Sequence, residues 1–83
     1  MIDTDSRDVS LMIRDKLTAD KLPLDAPERI WVGNGTGLTC SACDQPVTDA
    51  EREYEFDSPT HGTVRFHQRC LDLWHQERAQ RSV

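Results

Sequence analysis

The chain carries Cys40-x-x-Cys43 and, after 23 intervening residues, His67-x-x-Cys70. A tight turn lets two cysteines with this spacing grip one point, and a pair spaced i, i+3 at a helix start projects to nearly the same side. Thiolates with an imidazole suit a tetrahedral cation, and the imidazole favours zinc over iron. Cys40, Cys43, His67 and Cys70 together would close the coordination shell, leaving no position for water or substrate. The expectation is one structural Zn²⁺ held by these four residues. Two blander readings compete with it: three buried cysteines beside an incidental histidine, and a redox Cys40–Cys43 pair. Paired two-residue spacings around a hairpin rarely arise by accident, and redox pairs sit at a strand-to-helix junction of a larger fold. His61 lies at the expected hairpin tip, and His75 lies about 140° around the helix from Cys70. Both are expected to be ordinary surface groups.

A cross-link of this kind answers a shortage elsewhere. The chain has 83 residues, of which 36 % are hydrophobic and 6 % aromatic (Trp31, Tyr54, Phe56, Phe66 and Trp74). Even with four glycines added, the apolar share stays below the roughly 45–50 % of ordinary domains. Cores this thin are marginal at this size and often need a staple. The length excludes a multi-domain enzyme. The longest aliphatic runs, Leu11–Ile13 and Ile30–Val32, are far short of a membrane span. The N-terminus Met1-Ile2-Asp3-Thr4-Asp5 lacks the basic and apolar regions of a secretion signal, and three cysteines cannot close a disulfide framework. The expected setting is therefore the reducing cytoplasm, away from membranes. A net charge of −5 opposes generic binding to phosphate polymers.

The expected fold class is α+β, with an N-terminal helix and connector over 1–39 and a zinc module over 40–83. Over 6–21, Val9, Ile13 and Leu17 form a helical stripe with Met12 beside it. Ser6 is placed as its N-cap and Pro23 as its stop, while Arg14, Asp15, Asp20 and Lys21 are assigned to solvent. Residues 22–39 read as an irregular connector whose apolar piece, Ile30–Val32, docks as an extended segment on the C-terminal module. The stretch Gly33-Asn34-Gly35-Thr36-Gly37 resembles a phosphate loop only superficially, for no following helix or lysine supports it. Further on, Tyr54–Phe56 and Val64–Phe66 alternate with period two around a turn, which predicts a hairpin. Tyr54, Phe56, Val64 and Phe66 would share its inner face. Glu53, Glu55 and Asp57 would share the solvated one, with Arg65 neutralising one of them. Gln68 to about Gln80 reads as a helix with Cys70, Leu73, Trp74 and Glu77 on one face and Leu71 beside them.

This order of cysteine knuckle, hairpin and ligand-bearing helix resembles the treble-clef zinc finger. The ligand pattern is similar to the first zinc half of LIM domains, and the resemblance, covering residues 38–78, implicates Cys40, Cys43, His67 and Cys70. No second ligand set follows. Asp44 stands where such knuckles often carry glycine, a position aspartate tolerates. The overall arrangement also resembles small bacterial zinc-binding proteins, a likeness that brings no activity with it. Treble clefs support some nucleases, but His61 and His75 lack the acid–base surroundings of such a site. The expectation is a non-catalytic, monomeric interaction or regulatory module with an unidentified protein partner. A nucleic-acid-binding finger is the alternative, resting on Arg65, Arg69, Arg78 and Arg81. The candidate partner surfaces are the acidic hairpin face and the N-terminal helix.

Overall fold

The computed structural model describes residues 4–81. In chain order it comprises α1 (Thr4–Thr18), β1 (Trp31–Asn34), β2 (Arg52–Ser58), β3 (Gly62–His67) and α2 (Gln68–Arg81). The architecture is a small α+β fold, with two helices and one antiparallel sheet in the order β1-β2-β3. The hairpin register pairs Tyr54 with Phe66, Glu55 with Arg65 and Phe56 with Val64. Strand β1 pairs Trp31 with Glu55 and Val32 with Tyr54, so the apolar piece of the connector does dock as an extended segment.

Trp74 organises the core. Its ring lies 5.2 Å from Phe56 and 5.2 Å from Phe66, centroid to centroid. Its indole N–H donates to the Pro23 carbonyl at 3.0 Å, which satisfies the one polar atom a buried tryptophan brings. The Arg78 guanidinium also lies against it, 4.3 Å from the ring centroid. The stripe Val9, Ile13 and Leu17 is buried as the periodicity predicts, and it joins Phe56, Phe66, Cys70 and Trp74 in a single cluster. Residues on both sides of position 39 therefore share one interior. Across the helix pair, Arg14 Nε stands 3.0 Å from Glu77 Oε1. Arg14 is thus anchored rather than merely solvated, and it satisfies a carboxylate buried on α2.

Several local expectations are corrected. Helix α1 begins at Thr4, so Ser6 lies within the helix and is not its N-cap. The helix stops at Thr18, short of the stop assigned to Pro23. Asp20 adopts φ 60°, and the Lys21 N–H bonds Lys16 O at 2.7 Å while the Asp20 N–H bonds Leu17 O at 3.2 Å. This reversed-turn cap terminates a helix on its own. Glu53 is buried, at 7 % exposure. The loop after β1 covers it, with Thr36 donating to Glu53 Oε1 at 2.8 Å. Arg65 answers two carboxylates rather than one, Glu53 at 3.2 Å and Glu55 at 3.7 Å. Finally, His61 is not a free surface group. Thr60 Oγ1 donates to its Nδ1 at 2.6 Å, and its Nε2–H donates to Asp20 O at 2.9 Å, pinning the hairpin tip to the end of α1.

Candidate metal centre

Cys40 and Cys43 stand in a tight turn closed by the Asp44 N–H to Cys40 O at 3.1 Å and the Cys40 N–H to Gln45 O at 2.8 Å. A bridge between Thr39 and Pro46 braces its base. The reversal puts Asp44 at φ 64°, a left-handed conformation that aspartate tolerates better than most residues. Two elements hold the turn in place. From β3, Arg65 O accepts the Ser41 N–H at 2.6 Å, and the Arg65 N–H donates to Ser41 Oγ at 3.1 Å. From α1, Lys16 Nζ donates to Ser41 O at 2.9 Å and to Asp44 Oδ1 at 2.7 Å.

The second pair comes from the strand–helix junction. His67 is the last residue of β3 and not a helix residue, while Cys70 lies in the first turn of α2. The four side chains converge, with the ligand atoms of Cys40, Cys43, His67 and Cys70 all within 4.8 Å of one another. All three cysteines are buried, and the His67 side chain is only 12 % exposed. His67 Nδ1 lies 3.4 Å from Cys43 Sγ and 3.7 Å from Cys70 Sγ. A zinc tetrahedron with metal–sulfur bonds of about 2.3 Å and metal–nitrogen bonds of about 2.0–2.1 Å has S···N edges of about 3.6 Å. The spacing is consistent with one bound metal ion.

The outer nitrogen of His67 fixes the inner one. Nε2–H donates to the Pro46 carbonyl at 3.1 Å, with Glu51 Oε2 3.6 Å away. That bond leaves the Nδ1 lone pair facing the sulfurs, the outer-shell arrangement typical of metal-bound histidines. Nothing in the sequence marks Pro46 or Glu51 as contributors. Lys16 is equally inconspicuous, its one signal being a place beside the apolar stripe of α1.

The thiols divide their protons unequally when no cation lies between them. A hydrogen bond from the Cys70 thiol pulls Cys40 down to about 4. Donating that bond, together with burial, pushes Cys70 up. Burial also pushes Cys43 up. A cation at the centre would reverse this, since metal binding requires deprotonated thiols.

The other sequence candidates lie apart from this centre. His61 belongs to the hairpin tip. His75 is exposed on α2, its ring 5.1 Å from that of Trp74, and partial burial lowers its pKa. The glycine stretch makes no phosphate cradle: Gly35 N–H donates to Glu51 O at 2.9 Å and Gly37 N–H to Val47 O at 2.8 Å. No helix among the described residues is long and apolar enough to cross a membrane. No protein-family model, curated protein or solved structure matches this chain.

Proposed function

We propose that the protein is a treble-clef module built on one structural zinc ion, similar in its ligand set to the first half of a LIM domain, and that it works by binding a protein. The convergence of Cys40, Cys43, His67 and Cys70 within 4.8 Å carries this reading. Three thiolates and one imidazole fill a tetrahedron, so zinc here would organise the chain and not activate water. The centre ties the turn before the hairpin to the helix after it, where a cross-link constrains the fold most. A nuclease-like role finds no support in His61 and His75, which serve the hairpin tip and the Trp74 ring.

The nucleic-acid alternative weakens on the arginines assigned to it. Arg65 faces Glu53 and Glu55. Arg78 lies over Trp74 and donates to Leu24 O at 3.3 Å. Arg81 bonds Arg14 O at 2.8 Å and Thr18 Oγ1 at 2.7 Å. These three groups are engaged with their own chain, and Arg69, exposed on α2, makes no phosphate stripe by itself.

Native mass spectrometry before and after chelation, with NMR of both forms, tests the proposal. The expected result is one zinc per chain and loss of dispersed amide signals on stripping. His67→Ala should lose stoichiometric zinc. A chain that is metal-free by elemental analysis and still fully folded would overturn the reading. Sub-micromolar DNA or RNA affinity that falls steeply with salt would replace the partner class.

A further inference from the structure

The two surfaces that the sequence offers for a partner are largely spent inside the fold. The apolar stripe of α1 is buried against the core, and Glu53 is covered by the loop after β1. What remains is the sheet edge. Among the described residues, strand β1 is paired on one side only, with β2. Trp31 and Val32 are each 51 % exposed. Natural edge strands are blunted by charge, proline or a bulge. Trp31-Val32-Gly33-Asn34 has no charged residue and no proline.

Beside the start of this strand, the chain before it diverges from the end of β2 and leaves a groove of about 670 Å³. Asp25, Glu28 and Asp57 line it together with Trp31 and Arg29. The Arg29 guanidinium carbon is 5.9 Å from the Trp31 ring centroid, so one face of that ring already accepts a cation of the chain's own. Arg78 also acts on Asp25, and three carboxylates against these two guanidinium groups still leave the groove negative, on a molecule whose net charge is −5.

We infer that β1 and this groove form a docking site for an extended basic peptide of a partner protein, which adds a strand to β1 and places lysine or arginine side chains among Asp25, Glu28 and Asp57. The backbone of β1 would supply affinity through ladder hydrogen bonds, and the groove would supply the charge preference. Electrostatics decides against a second copy as the occupant. A second copy would set two chains of net charge −5 edge to edge, and its residues 31–38 carry no lysine or arginine to place in either acidic groove. The inference deepens the interaction-module reading and rests on it.

The test uses full-length protein whose single zinc has been verified by native mass spectrometry, so that a failed metal centre is recognised before any peptide is added. Two probes are titrated with amide NMR: acetyl-Thr-Val-Thr-Val-Lys-Lys-amide and its counterpart ending in Glu-Glu. The lysine probe should bind at least tenfold more tightly, shift the amides of residues 31–34, and lose affinity as salt rises. Asp25→Asn, Glu28→Gln and Asp57→Asn change exposed side chains, and combined they should remove the preference for lysine while the spectrum stays dispersed. Equal affinity for both probes, no binding at millimolar peptide, or shifts confined to another surface would overturn the inference. So would self-association through β1 in sedimentation at the same protein concentration. Failure of these tests with zinc still bound refutes the docking site alone, whereas loss of the one-zinc stoichiometry refutes the reading beneath it.

Discussion

At the residue scale, backbone shape matters as much as ligand chemistry. Asp44 holds a left-handed φ of 64° immediately after Cys43. A β-carbon in that conformation is disfavoured by roughly 1–2 kcal/mol, less for aspartate, whose side chain can bond locally. Asp44→Ala should therefore destabilise the metal-loaded protein by about 1–2 kcal/mol in chemical denaturation, whereas Asp44→Gly should be close to neutral. The glycine variant gains backbone freedom but loses an exposed ion pair with Lys16, worth no more than ~1 kcal/mol. Gly35 is more demanding. A β-carbon there would clash with the backbone carbonyl oxygens of Thr48 and Val47, the latter at 2.5 Å. Gly35→Ala should cost at least about 1–3 kcal/mol, the usual penalty for forcing atoms into a packed site. A melting curve unchanged from the parent would contradict this close approach.

At the element scale, α1 joins the sheet and α2 as part of the same core. Ile13 is fully buried in the shared cluster, and Ile13→Ala should lower stability by about 2–5 kcal/mol. Hydrogen exchange should show lost protection in both helices, not in α1 alone. The hairpin and α2 are readable in the sequence because each follows one clean period over enough residues. The end of α1 is harder to read. Pro23 is the conspicuous breaker, while the actual stop is made by backbone geometry at Asp20, which no side-chain period reveals. The alternation that correctly locates Phe56 also assigns Glu53 to solvent. Its burial depends on Thr36 reaching it from another segment, a tertiary event. The convergence of Cys40, Cys43, His67 and Cys70 is legible because four side chains of restricted chemistry recur at tight spacing. Its supports, Pro46 O and Lys16, belong to residue types too common to stand out.

At the scale of the whole molecule, the candidate metal centre and the aromatic cluster meet on α2, where Cys70 and Trp74 are both buried. Removing the cation should therefore disturb more than the residues that touch it. Chelation is expected to abolish the near-ultraviolet dichroism of the aromatics and to loosen α1 as well as the knuckle. Affinity for zinc should rise with pH. Thiols released from the fold titrate at about 8.5 and hold their protons at neutral pH, and burial in a chain that stays folded pushes Cys43 and Cys70 higher still. Zinc uptake must then expel thiol protons, and acid should drive the cation out. Calorimetric titrations in two buffers of different ionisation enthalpy would count the protons released. A release of none would contradict thiolate coordination.

The chain's two tryptophans differ sharply in setting, Trp74 in the interior and Trp31 at the rim. Their indoles should emit at distinct wavelengths, blue for the enclosed ring and red for the wetted one. Trp31→Phe would leave Trp74 as the lone indole, in the heart of the protein, and its quenching by iodide under tryptophan-selective excitation would then report every opening of the interior in real time.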